Sequence, residues 1–210
     1  MTLEFHRPES GRGAPWTPPL VGPVFADQGL CGVSASAGLF RMHDGESGPI
    51  AQRFVDAVYP RTRSLHADVF GFDWRARQFA VTRDLGHDDT VADSAGTVVV
   101  LDPFDVSITP WTTLEQFEQA LSLPVAEEFL GPALFTSWRS AKDVSSLDLD
   151  HCAGASVPAF YGGQLDVSNL DYNDVDVYLT FIATLWLKSQ NLPADSTPPD
   201  LSDLTPWRNQ

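Results

Sequence analysis

Asp68-Val69-Phe70-Gly71-Phe72-Asp73-Trp74-Arg75-Ala76-Arg77-Gln78-Phe79-Ala80-Val81-Thr82 is the stretch on which the fold turns. Its two halves are aromatic and β-branched, the residues that fit a pleated surface. A short polar tripeptide separates them. The pattern predicts a β-hairpin over 68–82, with Phe70, Phe72 and Trp74 on one face at period two. Arg75-Ala76-Arg77 then forms the turn or an exposed rim. Downstream, Thr97 to Leu101 is a continuous apolar run, the mark of a strand covered on both faces. Asp102-Pro103 ends it, and Asp105 to Thr109 is expected to form a second, short strand. Upstream, Val24 to Met42 reads as turns around a short strand near Leu39. The Gly29 to Gly38 region lacks the Gly-Lys-Ser/Thr ending of a phosphate loop and the spacing of a dinucleotide fingerprint.

Helical periodicity surrounds these strands. Pro49 to Val58 carries Ile50, Phe54 and Val58 at a spacing of four, with Pro49 in the first turn and Pro60 as a stop. Thr113 and Gln116 make a Thr-x-x-Gln capping box for a helix over Thr113 to Leu121, with Leu114, Phe117 and Leu121 on its buried stripe. A helix over Val125 to Trp138 is expected to break at Gly131-Pro132. Ser156 to Tyr161 reads as a short extended piece. Asn173 or Asp174 caps a last helix, Val175 to Gln190, apolar on most faces and expected to be deeply buried. Antiparallel strand pairs with separate helices mean an α+β fold, mainly an antiparallel sheet packed against several helices in a single domain. The expected organisation is a Pro/Gly-rich N-terminal extension (1–23), the α+β body (24–190) and an acidic, Pro-rich C-terminal tail (191–210), which Trp207 could anchor.

The 210 residues hold 13 Lys+Arg against 28 Asp+Glu, a net charge of −15. With 43% hydrophobic residues there is material for a core, which excludes global disorder. The charge argues against direct nucleic-acid binding, where affinity comes largely from Lys and Arg, and against docking on an anionic membrane. The first 23 residues hold no apolar signal region, and the longest apolar run, near Phe181 to Leu187, is too short to span a bilayer. A soluble, cytoplasmic protein is expected. Cys31 and Cys152 are too few for a disulfide scaffold or a metal knuckle.

Chemistry-bearing constellations are sparse. No Gly-x-Ser-x-Gly elbow occurs, and Cys152 follows His151 directly, so on a strand the two point to opposite faces. His87-Asp88-Asp89 and Asp148-x-Asp150-His151 are metal candidates by composition, but the spacing is neither His-Glu-x-x-His nor an EF-hand. Hydrated acidic loops are the simpler expectation, with no metal, no cofactor and no catalytic residue. A hydrolase using His87 or His151 with a nearby Asp is the weaker alternative. The charge distribution says more. From Asp143 through Asp203 there are ten aspartates, no glutamate and one basic residue, Lys188. Such a field attracts a basic partner and raises its association rate.

Val157-Pro158-Ala159-Phe160-Tyr161-Gly162-Gly163, then Val167-Ser168-Asn169-Leu170 and Val175-Asp176-Val177-Tyr178, resemble the C-terminal signature of the type VI secretion immunity protein Tdi1 family, of the GAD-like and DUF1851 type. Val69 to Trp74 with Arg77 to Ala80 resembles that family's central hairpin, and Gly38 to His43 its N-terminal strand. Arg75-Ala76 and the Thr97 to Asp102 strand depart from the pattern. The signature itself reads as structural: Pro158, Gly162, Gly163 and Asn169 shape a turn, and Phe160 and Tyr161 pack beneath the last helix. The resemblance implies an immunity-type protein that binds a cognate toxin, basic and of the nuclease class, and blocks it by stoichiometric occlusion. Asp166, Asp171 and Asp174 beside the signature loop are the expected partner contacts, with Trp74, Arg75 and Arg77 at the hairpin tip as a second group. The alternative is a non-enzymatic ligand-binding or regulatory module of the same fold.

Overall fold

The hairpin forms, and a sheet grows from both its edges. The computed structural model describes residues 5–6, 13–60, 66–82, 96–117 and 129–190. Seven strands, β1 (Phe5–His6), β2 (Ser34–Ala35), β3 (Phe40–Met42), β4 (Asp68–Asp73), β5 (Gln78–Thr82), β6 (Thr97–Asp102) and β7 (Ser107–Thr113), pair antiparallel in chain order. Four α-helices are described: α1 (Gly22–Asp27), α2 (Ser47–Val58), α3 (Pro132–Lys142) and α4 (Val175–Ser189). A separate two-stranded sheet joins β8 (His151–Ala155) to β9 (Leu170–Asp174). The chain is an α+β protein forming a single compact domain.

Each face of the seven-stranded sheet covers its own core. β6 shows why its run is apolar throughout. Val98 and Val100 enter one core, with Phe79, Trp74 and, from α3, Phe135 and Trp138. Val99 and Leu101 enter the other, with Ala51, Phe54, Val55 and Val58 of α2 and Leu179, Ile182 and Ala183 of α4. β8 bridges the two: Cys152 faces the α2–α4 core while Ala153 and Ala155 face the other. Burial at roughly 25 cal/mol per Å² of apolar surface makes these two layers the main favourable term. The N-terminal residues 13–22 also pack on the body. Trp16 lies against Gly48 and donates Nε1 to the Val69 carbonyl at 2.7 Å, and Val21 is buried in the first core.

Several expectations need correction. Phe70, Phe72 and Trp74 do not share a face. The β4–β5 register slips between Val69 and Gly71, and this β-bulge turns Phe70 to the α3 side while Phe72 points to the α2–α4 side. Arg75-Ala76-Arg77 is the turn but not an exposed rim. Ala76 takes φ 60°, the left-handed position that ends a three-residue hairpin loop, and both Ala76 and Arg77 are buried. The second strand runs over Ser107–Thr113 instead of 105–109. Thr113 therefore ends a strand, 114–116 is a turn, and the Thr113 hydroxyl accepts from Gln116 N at 3.3 Å. Residues 118–121 and 125–128 of the two expected helices lie outside the described residues.

Residues 156–161 are not extended. Ala159–Tyr161 form a 3-10 turn, and the strand lies upstream in β8. The strand near Leu39 is β3, α2 starts two residues before Pro49, and Ala51 rather than Ile50 belongs to its buried stripe. That helix stops at Val58, since Pro60 disfavours helical angles at Tyr59. The break at Gly131-Pro132 starts α3, which runs on to Lys142. Asp174 caps α4 by accepting from Val177 N at 2.9 Å, but α4 is not buried all round, for Val177 is 65% exposed.

Candidate protein-binding site

Residues 143–190, the described part of the acidic stretch, carry β8, β9 and the loops that flank them. Between 143 and 190 there are seven aspartates and one lysine, Lys188. Asp143, Asp148, Asp150, Asp166, Asp171 and Asp174 are all exposed, and Asp176 is half-buried. Lys142, just before this stretch, pairs with Asp171 at 2.6 Å.

Each expected contact residue also has a local task. Asp166 accepts from Ser168 N, Asn169 N and the Ser168 hydroxyl, so it caps the 3-10 turn at Val167–Asn169. The Ser168 bond foremost holds its carboxyl below the ordinary range. Asp171 accepts from Lys142 and from the Ser156 hydroxyl at 2.5 Å, and the Lys142 bond likewise lowers it. Asp174 caps α4. These bonds fix where the charges sit, and all three remain open to solvent.

The signature residues hold the loop that joins the two strands. Asn169 donates to the carbonyls of Val157 (2.8 Å) and Gln164 (2.9 Å) and accepts from Val157 N at 2.9 Å. It thus clasps the loop that precedes it. Gly162 sits at φ 83°, where a side chain would be strained, and a Cβ on Gly163 would lie 1.8 Å from the Val157 carbonyl oxygen, so Gly163 has no room for one. Pro158 is buried at the start of the turn, and Phe160 packs on Trp186 of α4 with ring centroids 5.3 Å apart.

The second group lies apart from this acidic surface. Trp74 is 0% exposed, packs at a tilt against Phe135 and Trp138, and donates Nε1 to the Leu130 carbonyl at 2.8 Å. Arg77 pairs with Asp73 at 2.6 Å and donates to the Phe129 carbonyl. Arg75 lies 3.4 Å from Asp102, whose carboxyl is raised by burial. Trp74 and Arg77 have no surface to offer, so these residues buttress the approach to α3.

Two features escaped sequence reasoning. Arg41 on β3 is fully buried and donates to the backbone carbonyls of Asp148, His151 and Asp73, with its Cζ 4.2 Å from the Phe72 ring centre. Burial pulls its guanidinium down to about 10, so it stays charged at neutral pH. At the start of β8, His151 stacks on Tyr172 (4.6 Å, 17°) and its Nδ1 lies 2.8 Å from Asp148 Oδ1. The available signal was an aromatic residue set among aspartates, Asp171-Tyr172-Asn173-Asp174, on an alternating strand.

His43 forms a second buried cluster. Its Nδ1 is 3.0 Å from Ser47 Oγ and its Nε2 is 3.0 Å from Gln78 Oε1. Burial lowers it to about 4, so it is neutral at pH 7. Ser47 Oγ is also 2.9 Å from Asp44. This chain organises the turn that starts α2.

Among the described residues no group of three or more His, Cys, Asp or Glu side chains converges to hold a metal, and no helix is long and apolar enough to cross a membrane. His87 lies outside them. Cys152 is buried with its thiol pushed up to about 12 by desolvation, whereas Cys31 is only partly buried. The chain matches no protein-family model and no curated protein sequence.

Proposed function

We propose that the protein is an immunity-type binding protein that neutralises a basic toxin of the nuclease class by stoichiometric occlusion, acting in the cytoplasm. The observation that carries this reading is the acidic surface around β8 and β9: six exposed aspartates, four of them (Asp148, Asp166, Asp171 and Asp174) held by local hydrogen bonds, with Lys142 paired to Asp171. A nuclease must present a cationic groove to its substrate. A preformed anionic face meets that groove without reorganising, so charge complementarity speeds encounter and fixes register. The motif resemblance to the type VI immunity proteins points the same way. Nucleic acid and anionic membranes are not partners on this reading, since the acidic surface repels phosphate.

The test is a titration of the purified protein into the toxin encoded beside its gene, with DNA cleavage as readout. Cleavage should end near one molar equivalent and return as salt is raised, because Debye screening weakens contacts between exposed charges. Undiminished cleavage at tenfold excess of the protein would overturn the proposal.

A further inference from the structure

A buried guanidinium is an expensive residue to keep, since desolvation of an ion costs several kcal/mol. Among the described residues Arg41 makes no ion pair with a carboxylate, and its Nε has no acceptor. Two of its three acceptors are the carbonyls of Asp148 and His151. The interior charge therefore holds one surface turn in place. That turn presents Asp148 and Asp150, and its His151 links the neighbouring groups: its ring stacks on Tyr172, its Nδ1 meets Asp148, and its backbone pairs with Asp174. The Asp150 carbonyl accepts from Val175 N at 2.7 Å, tying the turn to the start of α4. Tyr172 is 46% exposed. With one ring face on His151, it offers the other to solvent.

We propose that the free face of Tyr172, rimmed by Asp148, Asp150 and Asp174, seats an arginine side chain of a basic protein partner. The inference rests on the proposed function and names the anchor of that surface. Arginine fits better than lysine because its planar guanidinium lies flat on an aromatic ring while its in-plane N–H groups reach carboxylates at the edge. Exposed aromatic residues on a rigid backbone are also the residue type that anchors protein interfaces. Phosphate-bearing partners are repelled by the same carboxylates.

The probe is a short peptide with two arginines spaced by glycine, and its lysine counterpart, added to the full chain at physiological salt and followed by amide chemical shifts. Shifts should concentrate on His151, Tyr172 and Asp174, with the arginine peptide binding about threefold tighter. Tyr172→Ala should weaken it about threefold to fivefold, and Tyr172→Phe should restore it, as a ring is what the cation needs. Asp148→Asn with Asp150→Asn, which leaves the ring intact, should weaken both peptides. Equal binding of the two peptides, or binding unchanged in Tyr172→Ala, would overturn the inference. A neighbouring toxin inhibited equally by Tyr172→Ala and the unaltered chain would remove this anchor while leaving the proposed function standing. Peptide docking at Tyr172 without toxin inhibition would do the reverse.

Discussion

Replacing Arg41 with methionine removes a charge while keeping an unbranched side chain of similar length. The change has opposing parts. Three hydrogen bonds from a charged donor are lost, each worth about 1.5–3 kcal/mol. Its attraction to the Phe72 ring, about 0.5–2 kcal/mol, goes as well. Against this, the desolvation penalty of the guanidinium disappears, which is several kcal/mol. The carbonyls decide the balance. Those of Asp148 and His151 lie under an exposed turn and can be rehydrated, whereas Asp73 is fully buried, and its carbonyl left bare costs about 1–3 kcal/mol. We expect a net loss of about 2–4 kcal/mol in urea denaturation, read from the midpoint at unchanged slope. Hydrogen exchange should also quicken at the backbone amides of 148–153, the segment the guanidinium holds. Arg41→Lys should fall between, because one ammonium cannot span three carbonyls. An Arg41→Met protein as stable as the parent, with unaltered exchange in 148–153, would refute the reasoning.

Gly163→Ala places a Cβ 1.8 Å from the Val157 carbonyl oxygen, so the loop must shift; we expect a loss of about 2–3 kcal/mol in thermal unfolding. Asp174→Ala removes the α4 cap and should cost about 1 kcal/mol by the same measurement. His43 is held at about 4 when folded against an ordinary 6.5, so the unfolded chain binds the extra proton between those values. Its contribution is complete above pH 6.5 and is lost as pH falls towards 4, by about 3 kcal/mol in all. His43→Asn should flatten the stability–pH curve in that window, as checked by urea midpoints from pH 4 to 7.

Much of the fold was legible because periodicity reports burial. The Thr97 to Leu101 run is buried on both faces and reads as such, and Asp174, Pro132 and Pro60 sit where helix ends require them. What escaped was register and tertiary demand. A bulge at Phe70 leaves no mark in residue type, yet it sends Phe72 to the other core. Arg75 and Arg77 look like surface residues by charge, but Asp102 and Asp73 pair with them, and Arg77 also bonds the Phe129 carbonyl. The acidic surface was legible as composition, since most aspartates in a stretch almost without basic residues stay hydrated, as six of the seven between 143 and 190 do. Its platform was not: Arg41 lies 107 residues from Asp148, and only the folded chain joins them.

The most direct test of the account is calorimetric titration of the protein with the toxin encoded beside its gene, across a salt series, for the unaltered chain and for Asp148→Asn/Asp150→Asn/Asp174→Asn. The account predicts one-to-one binding that weakens with salt and weakens at least tenfold in the triple variant. Tight binding that ignores both salt and the loss of those three charges would contradict it.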